Sequence, residues 1–113
     1  MRSEHRKDLL PGALEMMVLR TLQREPLHGY ALVQHIKRTS NDLLQIEEGS
    51  LYPALQRMLK QGWLKAHWGI SSTGRRIRIY QITPEGVKHL NREISSFDSM
   101  LEGIRLVLNP EAS

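Results

Sequence analysis

The chain has 113 residues, a net charge of +4 and no cysteine. That length suits one domain with a modest core, and the missing thiols exclude disulfides and thiolate metal sites and fit a reducing cytoplasm. No apolar run approaches the ~20 residues of a membrane span, and the first ten residues are charged rather than signal-like, so the expectation is a cytoplasmic protein with no membrane partner.

Residues 1–8 are polar and read as a flexible tail. From Pro11 to Arg24, Leu14, Met17, Val18, Thr21 and Leu22 recur at helical spacing, behind a proline suited to a first turn. Glu25-Pro26 ends that helix, because a proline disfavours helical geometry in the residue before it. His28-Gly29 opens a second helix, with Tyr30, Leu32, Val33 and Ile36 as its buried side and Lys37-Arg38 complementing the dipole at its end. The short connection makes these two helices neighbours. Residues 39–48 read as a loop, and Glu47-Glu48 favour the start of whatever helix follows.

That third helix runs from Gly49 to Gly62, with Ser50 as N-cap, Pro53 in the first turn and Gly62 as the left-handed stop. Leu51, Leu55, Met58 and Leu59 share one face; Tyr52, Gln56, Arg57 and Lys60 share the other. After Gly62 the period becomes two. Leu64, Ala66 and Trp68 lie on one side of a strand over 63–68, and residues 69–74 form a turn-rich link. Residues 75–82 make a second strand, in which either Ile77 and Ile79 or Tyr80 and Ile82 meet the core.

Residues 49–82 hold Arg57, Lys60, Lys65, Arg75, Arg76 and Arg78 and no acid, whereas residues 1–48 hold seven basic and seven acidic residues. An acid-free basic block in an otherwise balanced chain marks a polyanion-binding surface; the alternative is a solvated face that aids solubility.

Thr83-Pro84-Glu85 is a strong helix start. Behind it Val87, Leu90, Ile94, Phe97, Leu101, Ile104 and Leu108 alternate steps of three and four, a 3.5-residue seam of the kind that supercoiled partner helices require. The expectation is a dimerisation helix over 84–108; the alternative is a long helix packed on its own domain. Residues 109–113 read as a tail.

Three helices followed by a β-hairpin predict a mainly α fold with a small β-hairpin: a winged helix-turn-helix over 9–83 plus the long C-terminal helix. Four motifs then carry a family resemblance. Pro26-Leu27-His28-Gly29-Tyr30, Glu48-Gly49-Ser50-Leu51-Tyr52-Pro53-Ala54-Leu55, Gly62-Trp63-Leu64 and Tyr80-Gln81-Ile82-Thr83-Pro84-Glu85-Gly86 resemble the PadR family of bacterial transcriptional regulators. The wing, Trp68-Gly69-Ile70-Ser71 with Arg75-Arg76 and Tyr80, is similar to a PadR type common in acidobacteria and found beside permease genes. The resemblance covers about residues 9–108. It implies a homodimeric repressor with the third helix in the major groove, the wing on the backbone, and the terminal helix, helped by the first, as dimer interface. Some members of that family respond to phenolic or planar hydrophobic molecules held between tryptophans of the terminal helices. Phe97 stands near that position here, so a small hydrophobic effector stays unidentified.

From the residues themselves, Arg75, Arg76, Arg78 and Lys60 are expected on phosphates, Arg57 on guanine or Gln56 on adenine, and Ser50 at a phosphate through the helix N-terminus. Tyr52 is expected on a phosphate or sugar, or else as a half-buried ring over the helix start. An operator of double-stranded DNA with an inverted repeat would match a two-fold dimer. Trp63 and Trp68 read as packing of wing and core. His28 and His35 have no further ligand nearby, so neither a metal nor a cofactor is expected. No nucleophile elbow, phosphate loop or paired acid/base set appears, which argues against an enzyme. A winged helix can also serve as a protein-interaction module without specific DNA binding, but an acid-free basic segment suits nucleic acid better.

Overall fold

A computed structural model describes residues 12–112, in the order α1 (Ala13–Arg24), β1 (Leu27–His28), α2 (Gly29–Thr39), α3 (Glu48–Lys60), β2 (Leu64–Ile70), β3 (Arg76–Ile82) and α4 (Pro84–Leu108), closed by one 3-10 turn at Pro110–Ala112. The expected tail over 1–8 and the role of Pro11 lie outside the described residues.

α1 starts after Gly12, whose φ of 83° suits glycine, and stops at the extended Glu25 in front of Pro26, as expected. Its buried side is Val18, Leu19, Thr21 and Leu22. α2 is capped by the His28 Nδ1, which accepts from the Ala31 N–H at 3.4 Å. Leu32 and Ile36 are buried, but Tyr30 is exposed, contrary to its expected place on the buried side. On a 100° wheel Tyr30 lies more than a quarter turn from the centre of that apolar stripe. Asn41 and Asp42, both at positive φ, reverse the chain after α2, and Ile46 anchors the loop in the core.

α3 starts three residues earlier than expected, with its cap at Glu47 rather than Ser50. The Ser50 and Leu51 N–H groups both donate to the Glu47 carbonyl, at 2.9 and 3.0 Å. Ser50 is therefore inside the helix rather than at its cap, and Pro53 lies beyond the first turn. Glu48 in the first turn complements the dipole, which favours this earlier start. The end is as expected. With Gly62 at φ 80°, its N–H donates to the Leu59 carbonyl and the Trp63 N–H to the Met58 carbonyl, a Schellman pair that satisfies the last carbonyls.

The hairpin is part of a three-stranded antiparallel sheet in the order β1-β3-β2. β1 pairs Leu27 with Tyr80 and His28 with Ile79, and β2 pairs with β3 from Leu64↔Ile82 to Ile70↔Arg76. Tyr80 is buried and Ile82 packs on the core, so this pair, not Ile77 and Ile79, faces inward. Leu64 and Ala66 oppose Ile82 and Tyr80 on the same face. Trp68 shares that face but lies past the end of the core and is exposed, a departure from its expected packing role. Trp63 does pack, stacked on the His89 ring at 3.5 Å between centroids.

Thr83 caps α4, accepting from the Gly86 N–H at 3.0 Å while its own hydroxyl donates to the Gly62 carbonyl at 2.6 Å. The Thr83 N–H donates to the Trp63 carbonyl at 3.0 Å, and a Cβ on Gly86 would run into that same carbonyl. The start of α4 is thus pressed onto the turn that ends α3. Leu90 is completely buried in the domain core and Ile94 packs against it, where α4 crosses α1. Leu90 therefore belongs to its own domain and leaves the expected dimer seam. Beyond Ile94 the helix outruns the core: Phe97 and Leu101 are half-buried, and Met100, Ile104, Val107 and Leu108 are exposed. No helix among the described residues is long and apolar enough to cross a membrane. The architecture is a winged helix-turn-helix carrying a long C-terminal helix.

Candidate nucleic-acid interface

Leu51, Ala54, Leu55 and Met58 bury one side of α3, which fixes what the other side presents. At 100° per residue, Gly49, Pro53, Gln56 and Lys60 centre the outward face, with Tyr52 on one edge and Ser50 and Arg57 on the other. All seven are exposed. Gly49 has open space where a Cβ would stand, so its small size answers no neighbour in the described chain.

Tyr52 lies across the start of α2. A Cβ on Gly29 would meet its hydroxyl at 2.7 Å, so glycine is what lets the ring pack there. The residue still keeps 42% of its surface open, so it is a half-buried ring over the start of α2 with its outer side exposed to the cleft. Arg57 points to the other side, its Nε 3.4 Å from a Glu15 carboxylate oxygen of α1. A pair this exposed is worth little, about 0–1 kcal/mol, and exchanges partners at small cost. The Ser50 N–H is engaged by the Glu47 carbonyl, so it is not the free N-terminal donor expected to hold a phosphate.

The wing begins at a tight turn. The Ser71 Oγ accepts from the Arg75 N–H at 3.0 Å and shares a hydrogen bond with the Thr73 hydroxyl, while the Ser71 N–H donates to the Arg75 carbonyl at 2.8 Å. Gly74 supplies the positive φ of 84°. Arg75 leaves this turn exposed, and Arg76 and Arg78 follow on the inward face of β3, opposite Ile70 and Trp68. That face, having outrun the core, looks across a cleft toward the starts of α2 and α3. The cleft measures about 480 Å³ and is lined by Arg75, Arg76, Arg78, Tyr52, Tyr30 and His28 among others, with no carboxylate in its wall. At its floor, burial pushes the Tyr80 hydroxyl above its ordinary pKa of 10.0, an effect that neighbouring Arg78 opposes and Tyr52 reinforces.

The fold therefore brings together Tyr52, Arg75, Arg76 and Arg78 around one cleft and sets Gln56 and Lys60 further along the same helix face. It turns Arg57 toward Glu15 of α1 and engages the Ser50 N–H within its own helix. Tyr30 lines this cleft and Trp68 lies beneath two of its arginines, placements that the sequence reading missed; the wheel position of Tyr30 was the available signal. For Trp68 none existed, because alternation gives a residue's face but not how far the core extends beneath it. Chemically, the cleft offers arginine forks, phenolic hydroxyls and no competing acid, a set suited to phosphodiester oxygens.

The transcriptional regulator PadR-like family matches residues 18–92 of the chain. A transcriptional regulator from Clostridium thermocellum superposes with a TM-score of 0.80 at 27% identity, covering 88% of this chain and 96% of that one. A PadR family transcriptional regulator from Eggerthella lenta gives 0.76 at 31% identity over 88% of this chain and 84% of its own. An uncharacterised protein of Lysinibacillus sphaericus is 30% identical over 103 residues, spanning 91% of this chain and 94% of that one.

Proposed function

The chain belongs to the PadR-like family of transcriptional regulators, and on that premise we propose that it is a cytoplasmic, homodimeric repressor that binds an inverted-repeat operator in double-stranded DNA. The observation that carries this reading is the acid-free cleft between wing and helices, with Arg75, Arg76 and Arg78 on one wall and Tyr52 on the other. α3 enters the major groove with Gln56 and Lys60 foremost, Gln56 reading an adenine edge and Lys60 meeting backbone. Arg57 reaches DNA by exchanging Glu15 for a phosphate or a guanine. The wing lies on the flanking backbone. The genes controlled are nearby ones, with transporters the first to examine.

The second copy meets α4. Its distal half presents Phe97, Leu101, Ile104 and Leu108 along the 3.5-residue seam, widened by Met100 and Val107. Beside it an apolar groove of about 290 Å³, lined by Met16, Met17, Ile36, Leu44 and Ile94, runs between α1, α2 and α4. Both surfaces favour the partner's α4 as their cover. Ile104→Asp is expected to give a monomer in sedimentation with the domain still folded, because Ile104 lies outside the core; a dimer that survives it would move the interface elsewhere.

Phosphate neutralisation releases counterions, so about six phosphate contacts give a loss on the order of 10³-fold or more in duplex affinity between low and moderate salt. Fluorescence anisotropy with duplexes from upstream of the protein's own gene measures that slope. Binding that ignores salt, or no binding at all, would sink the regulator reading.

A further inference from the structure

Trp68 has 55% of its surface exposed, although the residues before it on the same face, Leu64 and Ala66, are buried or half-buried. Strand register explains its surroundings. Trp68 stands directly opposite Arg78, and Arg76 is its diagonal neighbour on the same face, within reach of a ring that large. The Arg76 guanidinium carbon lies 4.2 Å from the ring centroid and that of Arg78 5.9 Å, both inside the ~6 Å range of a cation–π contact.

The manner of holding matters. A guanidinium stacked flat on a ring keeps its N–H donors pointing out from its edges, whereas a carboxylate partner engages those donors directly. Arg57, with its Nε at Glu15, is the counter-example in this same chain. A free arginine must also give up rotamer freedom to hold one pose, and a ring beneath it reduces that loss beforehand.

We infer that Trp68 is a positioning residue for DNA-backbone binding: its ring holds Arg76 and Arg78 extended on the inner face of the wing with their donors free for phosphate oxygens. The inference rests on the DNA-binding reading above. It sets Trp68 apart from a wedge that touches bases, because all of its effect passes through the two arginines.

A double-mutant cycle on the full chain tests this, using anisotropy with an upstream duplex and a random duplex across a salt series. Trp68→Leu is expected to weaken both duplexes about fivefold, as loss of an exposed cation–π platform should, while leaving the salt slope unchanged because every charge remains. Trp68→Phe, which keeps a π face, should recover most of the affinity. In the Arg76→Ala/Arg78→Ala background, Leu and Phe at position 68 should bind alike. If the fivefold loss persists there, Trp68 touches DNA itself or shapes the wing, and the inference falls; unchanged binding by Trp68→Leu overturns it as well. Should Trp68→Leu unfold the protein, Trp68→Met in the two arginine backgrounds decides, since Met keeps apolar bulk without a π face and is expected to show the same loss only where the arginines are present. A wild-type protein that binds neither duplex removes the regulator reading and this inference together, whereas wild-type binding with an additive cycle removes this inference alone.

Discussion

α3 and the wing bring positive charge to the same side of the molecule, yet they are held there by opposite means. α3 is anchored by four buried side chains, Leu51, Ala54, Leu55 and Met58, so its outward face cannot shift without disturbing the core. The wing beyond Ala66 and Tyr80 has no core beneath it. Its shape comes from ladder hydrogen bonds and the knitted turn at Ser71, and Trp68 carries two of its arginines. The difference teaches that fold stability and polyanion affinity are written in separable residues: a change in α3's buried side alters both, while a change at the wing tip alters affinity alone.

Leu55→Ala is the strongest test on the helix side. Leu55 is wholly buried, so the truncation should cost about 2–5 kcal/mol, seen as a lowered denaturation midpoint. On the wing side, Arg75→Ala with Arg76→Ala should leave the melting temperature unchanged and weaken specific and random duplexes alike by about tenfold or more. The salt slope should shrink by about two, one for each phosphate no longer neutralised. A melting temperature that falls with the arginines would break the comparison, and a loss confined to one sequence would make them base readers. The smallest effect should come from Glu15→Gln. Releasing Arg57 from a surface pair worth about 1 kcal/mol at most should tighten duplex binding about twofold in the same titration, with stability almost unmoved. Weaker binding instead would show that Glu15 aims Arg57 rather than competing for it.

Local signals carried most of the fold. The stop at Gly62 and the cap at Thr83 are legible because each depends on one residue and its immediate neighbours, and the hydrogen bonds form as that chemistry dictates. What stayed hidden depends on distance along the chain. β1 is two residues long, too short for any period, and its partner Tyr80 lies more than fifty residues away. Leu90 fits the heptad seam as well as Ile104 does; only the path of α1 decides that one is core and the other surface. Ser50 misled for a subtler reason. A serine before an apolar run is a good cap, but a helix starts where the first carbonyl collects N–H donors, and here that is Glu47. At the site, the charge of Arg75, Arg76 and Arg78 was readable, but the face was not, because Ile77 and Ile79 offered the core as good a strand face as Tyr80 and Ile82. Nor was the turn of Arg57 toward Glu15, because those residues belong to different helices.

The bonds that join Thr83 to Gly62 and Trp63 have a mechanical consequence. They clamp the root of α4 to the end of α3 at two points, with Gly86 allowing backbone against backbone, so no hinge lies between the two helices. α4 is therefore a shaft with α3 fixed at its root. On the DNA-binding reading proposed above, a tilt at the root of α4 is expected to carry α3 with it and so to change how that helix meets a groove.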